Sequence, residues 1–550
     1  MRQTVNAFRS LIRRSGSCLV VLASAASLGA AAGDGRLAEA VRKSDSAAVG
    51  ALLRSGADVN AAEVDGMTPL HWASQLDDRD TAGMLIHAGA NVKAATRYGV
   101  TPLTLASTNG SAGLIELLLK AGADPNTSLP KGETALMIAA RTGAPTAVRM
   151  LLAHGANANA REESKGQTAL MWAAGEGHVA VMQVLIEAGA EVDARSKGGL
   201  TPLLFAARDG RIEALRLLLS ARANPNDAVA PAATPAARSA RGGTYIGTDG
   251  SSALALAIIN RRYGAALLLL EKGANPNVTD SRGSLLHALA WVRRPGADIQ
   301  TGFVLPDATD AESLDVARSL LSHGANPNVR IAWQEAPYDT DGAVRMPPNI
   351  VMGRHFLSLV GATPFYLAAK HSDVALMRVL AGNGADPVMP TAQKITPLMA
   401  AAGLGFWDGE SPGPTTGVPA REALDAVTLC VELGNDVNAV TDFGDAPLVG
   451  DGASLLQSVP LHITKDPRQE LGDMRWGGST ALHGAAYRGL DPVVQFLVDK
   501  GARVDVKNAL GWTPLTVAEG LFAANNYHEA NPTTVALLKA LMAQRGPTGR

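Results

Sequence analysis

The stretch that decides the fold is GMTPLHWAS, residues 66–74, because four more versions of it follow at nearly constant spacing. They read GVTPLTLAS from residue 99, GETALMIAA from 132, GQTALMWAA from 166 and GLTPLLFAA from 199, so their threonines lie 33, 33, 34 and 33 residues apart. Six further versions begin at residues 250, 283, 361, 395, 478 and 511, and one without the threonine signature occupies 37–60. Self-similarity at a fixed period predicts an array in which each copy packs against its neighbours.

Each copy predicts two short helices. The threonine caps the first helix, and the proline that often follows it suits the first helical turn. Two positions after the threonine, ten of eleven copies have leucine, and five positions after it ten have alanine, which puts a large and a small residue on one helix face. The second helix ends in a leucine-rich turn and Gly-Ala, as in LLKAGADPN at 118–126, where the glycine suits a left-handed conformation.

These recurring positions resemble the ankyrin repeat, and the resemblance covers roughly residues 36–543. It implies an all-α solenoid of about 12 helix-turn-helix copies joined by hairpin-like fingers. The sequence also resembles secreted ankyrin proteins of environmental bacteria, a group with no settled activity. The expected divisions are a signal peptide 1–32, an array 33–543 and a tail 544–550, and within the array a capping copy 36–65, regular copies 66–226, insertion-bearing copies 227–477 and final copies 478–543.

The first 32 residues have the composition of a secretory signal peptide. Four arginines and no acidic residue precede or flank an apolar run, CLVVLASAASLGA at 18–30, and cleavage is expected after Ala32. We therefore expect a periplasmic or secreted protein with no membrane span after cleavage. The alternative is an uncleaved N-terminus that anchors the chain in the membrane. Cleavage would leave Cys430 as the remaining cysteine, so an internal disulfide is not expected.

The charge balance argues against a nucleic-acid partner. Taking the four arginines of residues 1–32 from the 49 basic residues of the chain leaves 45, against 51 acidic residues. A net negative chain without a long basic run lacks the electrostatic footprint of a protein that binds nucleic acid.

The period breaks in the second half of the chain. Residues 227–248, 330–360 and 445–477 lengthen fingers, whereas 292–313 and 405–421 fall between the two helices of one copy. Long loops within a compact array are usually functional or disordered.

Two of the inserted segments, 330–360 and 445–477, contain aromatic residues. Aromatic residues are enriched at protein interfaces. The candidates for partner contact there are Trp333, Tyr338, Phe356 and Trp476. The alternative is that these apolar residues fold back on neighbouring copies.

No sequence motif of a hydrolase, phosphate-binding loop or metalloprotease is present, so no catalytic, cofactor-binding or metal-binding residue is expected. The alternative is an enzyme whose site lies within 330–477 and uses His355 and His462. His71, His287 and His483 share the position three after the capping residue, where other copies have methionine or leucine, so these histidines are not a catalytic requirement. The resemblance implies that these histidines brace the turn and bridge neighbouring copies by hydrogen bonds. The other residues expected to have a structural role are the capping threonines, Thr68, Thr101, Thr134, Thr168 and Thr201.

The resemblance also implies that a partner binds the fingers and the exposed side of the first helices. The positions seven and eight after the capping residue vary between copies, and the candidates there are Arg141, Glu176, Arg208, Asp209, Lys370, His371, Tyr487 and Arg488. We therefore expect a monomeric, non-enzymatic scaffold that binds a protein partner and is exported from a bacterial cell. The alternative to a scaffold within the envelope is a secreted effector that acts on a host or competitor.

Overall fold

A computed structural model describes residues 35–230, 250–280, 283–293, 310–331, 360–404, 420–442, 476–520, 522–523, 526–527 and 530–545. The chain divides into two compact units, Met1–Pro130 and Lys131–Arg550. The described parts of both units are helical and hold 24 helices, in agreement with the predicted all-α class.

The described part of the first unit contains three helix pairs. They are α1 (Arg36–Arg42) with α2 (Ser46–Arg54), α3 (Pro69–Gln75) with α4 (Arg79–His87), and α5 (Pro102–Asn109) with α6 (Ala112–Lys120).

The second unit continues the same pairing through nine more copies. Its first three pairs are α7 (Ala135–Thr142) with α8 (Pro145–Ala153), α9 (Ala169–Glu176) with α10 (Val179–Glu187), and α11 (Pro202–Asp209) with α12 (Ile212–Ser220). The remaining pairs are α13 (Ala253–Ile259) with α14 (Tyr263–Glu271), α15 (Leu285–Arg293) with α16 (Asp310–Ser322), α17 (Pro364–Lys370) with α18 (Val374–Ala381), α19 (Pro397–Ala401) with α20 (Ala420–Glu432), α21 (Ala481–Tyr487) with α22 (Asp491–Asp499), and α23 (Pro514–Ala518) with α24 (Pro532–Arg545).

Two very short antiparallel strand pairs accompany the helices. Strand β1 (Thr279–Asp280) pairs with β2 (Gly283–Ser284), and β3 (Phe522–Ala523) pairs with β4 (Asn526–Tyr527). The first pair lies in a finger between two copies, whereas the second lies between the helices of the last copy.

The buried leucine and alanine columns form the core of each unit. Leu70 and Ala73 of α3, and Leu170 and Ala173 of α9, have no exposed surface. Burying one leucine side chain stabilises the fold by roughly 1.5–3 kcal/mol, and the small alanine lets the next helix approach closely. Cys430 occupies the leucine position of its second helix and is also fully buried, which raises the pKa of its thiol.

Asparagine side chains join the turns of consecutive copies. In each case the side-chain amide donates to the carbonyl at the end of the next second helix, and its oxygen accepts the backbone N–H two residues further on. These asparagine rungs are made by Asn60, Asn159, Asn226, Asn277, Asn328 and Asn438. Four of the six span a break in the 33-residue period, so the stack continues past the inserted chain.

The three finger insertions begin and end on hydrogen-bonded stems. The N–H of Val229 donates to the carbonyl of Ser251 at 2.9 Å, and the N–H of Gly250 donates back to Val229 at 2.9 Å. The same pair of bonds recurs between Ile331 and residues 361–362, and between Thr441 and residues 478–479. These bonds join the described residues on either side of each insertion.

None of the helices in the described part of the chain combines the length and the apolar character that a bilayer crossing demands. The predicted signal peptide, residues 1–32, and residues 546–550 of the predicted tail 544–550 lie outside the described residues.

Candidate protein-interaction surface

The capping residues set the direction of each first helix. The hydroxyl oxygens of Thr101, Thr134, Thr168 and Thr201 accept the backbone N–H three residues further on, at 3.2–3.4 Å. Thr68 also belongs to a capping box, with His71 as its partner. A capped first turn fixes where the other end of the helix presents its side chains.

The three histidines of the shared position make the same bonds in their copies. The ring Nδ1 of His71 accepts the backbone N–H of Thr68 at 3.1 Å, and its Nε2 lies 3.0 Å from the carbonyl oxygen of Val100 in the next copy. His483 bridges in the same way to the carbonyl of Trp512. Because Nδ1 accepts an N–H, the proton of the neutral ring is on Nε2 and is donated to the carbonyl.

His287 repeats this arrangement with Ser284 and the carbonyl of Ala362. Burial lowers the pKa of His71, and lowers that of His483 to about 4. All three side chains are fully buried, so they support the stack and face no substrate.

In the second unit, the ends of α7, α9 and α11 form a partly exposed polar surface, which we name the arginine face. Each helix is followed by a glycine with a left-handed backbone, which ends the helix and turns the chain away. The face contains Arg141, Glu176, Arg208, Asp209 and Arg211, together with the Trp172 ring and the buried Phe205 ring against which Arg141 and Arg208 lie.

Arg141 is held in place on two sides. Its Nη1 lies 3.0 Å from Oε1 of Glu133, and its guanidinium lies 5.0 Å from the centre of the Trp172 ring in the next copy. The side chain is still 30% exposed. A planar guanidinium held against an aromatic ring loses less conformational entropy when it binds a partner than a free side chain does.

Arg208 is held in the same manner by residues of its own helix. Its Nε and Nη2 donate to the two carboxylate oxygens of Asp209 at 3.0 and 2.7 Å, and its guanidinium lies 4.9 Å from the Phe205 ring centre. A side chain at Gly175 would contact Asp209 Oδ2 at 3.4 Å, so the small residue leaves room for this pair. Glu176 and Arg211 are about half exposed and lie 4.0 Å apart.

A second column of side chains, ten positions after the capping residue, ties the helix ends together. Arg211 Nε donates to the carbonyl of Gly175 at 2.9 Å, His178 Nε2 lies 3.0 Å from the carbonyl oxygen of Arg141, and Arg262 Nε donates to Arg208 at 3.4 Å. These bonds satisfy carbonyls that the end of a helix leaves without a helical partner.

Two family models for ankyrin repeats match the chain. The model of three ankyrin repeats matches residues 37–129, 126–196 and 193–280, and the model of a single ankyrin repeat matches 477–509, just over half of the sequence in all. This chain belongs to the ankyrin repeat family.

Two curated proteins are also similar to part of this chain. The B-cell lymphoma 3 protein homolog of Mus musculus is 31% identical over 167 residues, which cover 29% of this chain and 32% of that protein. The human B-cell lymphoma 3 protein is 29% identical over 178 residues, 28% of this chain and 39% of that protein. The chain thus spans about a third of the length of these relatives.

Three candidates for partner contact are buried, in contrast to the expectation. His371, Tyr487 and Trp476 are buried, with 3%, 7% and 7% of their surfaces exposed. The His371 ring packs 5.8 Å from that of Trp291, and Trp476 packs edge-on against Tyr487 at 5.3 Å. Burial of these three side chains contradicts the expectation that they are exposed for partner contact.

Lys370 and Arg488 are only partly exposed. Burial and, to a smaller extent, the positive charge of Arg488 together lower the pKa of the Lys370 ammonium group to about 7. Arg488 is partly buried and lies across Gly403 of the preceding ankyrin copy. Contact of Lys370 and Arg488 with a partner therefore stays a prediction.

Trp333, Tyr338 and Phe356 lie outside the described residues, as do His355 and His462 of the alternative enzyme site. Over the part of the chain that is described, no group of three or more His, Cys, Asp and Glu residues is placed to hold a metal ion.

The sequence did not predict a role for the aromatic residues at one recurring position of the first helices. Trp72, Trp172 and Phe205 lie four positions after their capping threonines, and an arginine lies over each ring. In the first unit, Trp72 also donates from its indole N–H to Glu63 at 3.2 Å. The available signal was an aromatic residue at a position where the other ankyrin copies have an aliphatic residue or glycine.

Proposed function

We propose that this chain is a non-enzymatic scaffold that binds a protein partner through the arginine face and the adjoining fingers. The observation that carries the proposal is the pair of partly exposed arginines, Arg141 and Arg208, each stacked on an aromatic ring and paired with a carboxylate. Arginine and aromatic residues dominate the binding energy of many protein interfaces, and restrained side chains bind at lower entropic cost. Membership of the ankyrin family supports an interaction role.

The experiment is affinity capture with the chain from Gly33 onwards, using the envelope fraction of the native cell. The test variant is Arg141→Glu with Arg208→Glu. The matched control is Arg149→Glu with Arg216→Glu, which makes the same charge change at two exposed arginines on second helices of the same unit. Circular dichroism first establishes that both variants are folded.

The proposal predicts that the test variant loses one defined protein that the control still captures. Equal capture by both variants would exclude the arginine face from binding. An unchanged partner set combined with loss on removal of the finger insertions would place binding elsewhere in the array.

We also propose that the protein is exported from a bacterial cell, to the periplasm or the medium. This proposal depends on the composition of residues 1–32, since the mammalian relatives match only part of the chain. Mass spectrometry of the protein from the periplasmic fraction should find an N-terminus at Gly33. A protein that retains residues 1–32 and sediments with membranes would favour the anchored alternative instead.

A further inference from the structure

The second half of the array alternates between two kinds of copy. The second helices α14, α18 and α22 have 9, 8 and 9 residues, whereas α16, α20 and α24 have 13, 13 and 14. The long second helices therefore occur in every second copy.

The connections between helices alternate in step with the helix lengths. Three residues separate the two helices in the copies with a short second helix, at 260–262, 371–373 and 488–490. In the copies with a long second helix the connections are 294–309, 402–419 and 519–531. The last of these contains the β3–β4 pair.

The fingers follow the same alternation. The three stems with inserted chain each precede a copy with a short second helix, and they share one bonding pattern, as at Val229, Ile331 and Thr441. The intervening fingers are short, and the N–H of Thr391 donates to the carbonyl of Ile395 just as Thr96 does to Val100 in a regular copy.

Side chains in the long second helices repeat as well. Counted back from the glycine that ends each helix region, Gly324 and Gly434, the same residue types stand at equal offsets in α16 and α20. The matching pairs are Glu312 with Glu422, Leu314 with Leu424, and Asp315 with Asp425. The capping residues of equivalent copies lie 111 and 117 residues apart (Ser252, Thr363, Thr480) and 112 and 117 residues apart (Ser284, Thr396, Thr513).

From these alternations we infer that residues 230–545 are three successive versions of one two-copy module, and that this module is the structural unit of the second half. Packed helices lie about 8–10 Å apart, so chain emerging from the same edge of two adjacent copies would compete for space. Alternating the insertions between copies doubles that spacing. In the regular half, where no copy carries an insertion, the structural unit stays a single copy of 33 or 34 residues.

The test compares deletions that respect or break the module. The in-phase deletion removes residues 396–512 and joins Ile395 to Thr513, so a copy with a short second helix is again followed by one with a long second helix. The out-of-phase deletion removes residues 480–512 and joins Ser479 to Thr513, which places two long second helices next to each other. A third deletion, residues 168–200, removes one copy from the regular half.

If the module is the unit, the in-phase deletion of 117 residues is tolerated better than the out-of-phase deletion of 33. We expect the in-phase and regular-half deletions to keep native helical content per residue and a cooperative urea transition. We expect the out-of-phase deletion to lower the urea midpoint by about 1 M or more relative to the in-phase one.

An in-phase deletion that fails to fold overturns the inference, whatever the others do. So does an out-of-phase deletion whose midpoint equals or exceeds that of the in-phase one. The result is independent of partner binding, because the arginine face lies outside both deletions in the second half.

Discussion

At the scale of single residues, one amide side chain can join two copies because it both donates and accepts. Asn159 donates to the carbonyl of Gly189 at 3.1 Å and accepts the N–H of Glu191 at 2.8 Å. The next equivalent position is Asp193, whose carboxylate has no N–H to donate to the carbonyl of Arg222. The sequence thus omits an asparagine rung at that junction.

Replacing Asp193 with asparagine should restore the rung. The new bond from the amide N–H to the carbonyl of Arg222 should raise the free energy of unfolding by about 1 kcal/mol. Urea denaturation measures the change. The control, Asn159→Asp, removes an existing rung and should lower the free energy of unfolding by a similar amount; equal stability of both variants with the parent would contradict the role of the rungs.

Arg222 offers a second test, because it stands where other copies have glycine after the second helix. Its φ is +69°, a left-handed conformation that costs side-chain-bearing residues roughly 1–2 kcal/mol. Arg222→Gly should therefore raise the melting temperature, by an amount equivalent to about 1 kcal/mol after the greater freedom of unfolded glycine is counted. Gly189→Ala, at a φ of +83°, should lower it.

His483 links stability to pH. Its folded pKa of about 4 lies below the ordinary value of 6.5, so the unfolded chain binds the proton more tightly. The contribution of His483 to stability is complete above pH 6.5 and is lost as pH falls towards 4. His483→Met, a residue found at this position in other copies, should reduce the stability lost between pH 7.5 and 4.5 by about 2 kcal/mol. The measurement is the free energy of unfolding at a series of pH values. An equal loss of stability in the variant and the parent between pH 7.5 and 4.5 would count against this prediction.

At the scale of elements, one buried ion pair joins the helices α15, α16 and α18. Arg293 at the end of α15 donates to both carboxylate oxygens of Asp373, at 2.6 and 3.0 Å, and to the carbonyl of Asp310 at 3.0 Å. Neither side chain has exposed surface. Asp373 also caps α18 by accepting the N–H of Leu376.

Removing one member of this pair should be far more harmful than removing both. Arg293→Met leaves a buried carboxylate without its partner and should cost about 3–5 kcal/mol. Adding Asp373→Asn, which keeps an acceptor for the N–H of Leu376, should recover much of the loss. A double-mutant cycle by urea denaturation measures the coupling. The exposed pair Arg318–Asp315 serves as the control and should give less than about 1 kcal/mol.

The sequence was sufficient to predict the helices but not to predict which side chains are exposed. Thr168, Leu170 and Ala173 recur at fixed positions because every copy must be capped and must pack on the next, so periodicity alone predicts them. Exposure at Arg141 or His371 depends on which residues the neighbouring copies place opposite, and spacing does not encode that. The same limit hid the pairing of Arg293 with Asp373, which lie 80 residues apart.

At the scale of the whole molecule, the stability of each copy should depend mainly on its contacts with the adjacent copies. In a stacked array each copy contacts the next, so the effect of a substitution should decay with distance along the stack. Hydrogen exchange of Arg293→Met should show the greatest loss of protection in α15–α18 and little change in α9 and α10. A uniform loss from residue 131 onwards would mean that the second unit opens as a single body.

The asparagine rungs have a consequence for how new sequence could be accommodated by this chain. The rung from Asn159 to Gly189 closes a loop of 30 residues, and that from Asn438 to Gly501 closes one of 63. Doubling the length of a flexible loop adds only about 0.6 kcal/mol of closure entropy, less than the roughly 1 kcal/mol that one hydrogen bond contributes. The fingertip stems at Val229, Ile331 and Thr441 are therefore natural grafting points, where foreign peptides of widely different length could be displayed while the host framework stays folded.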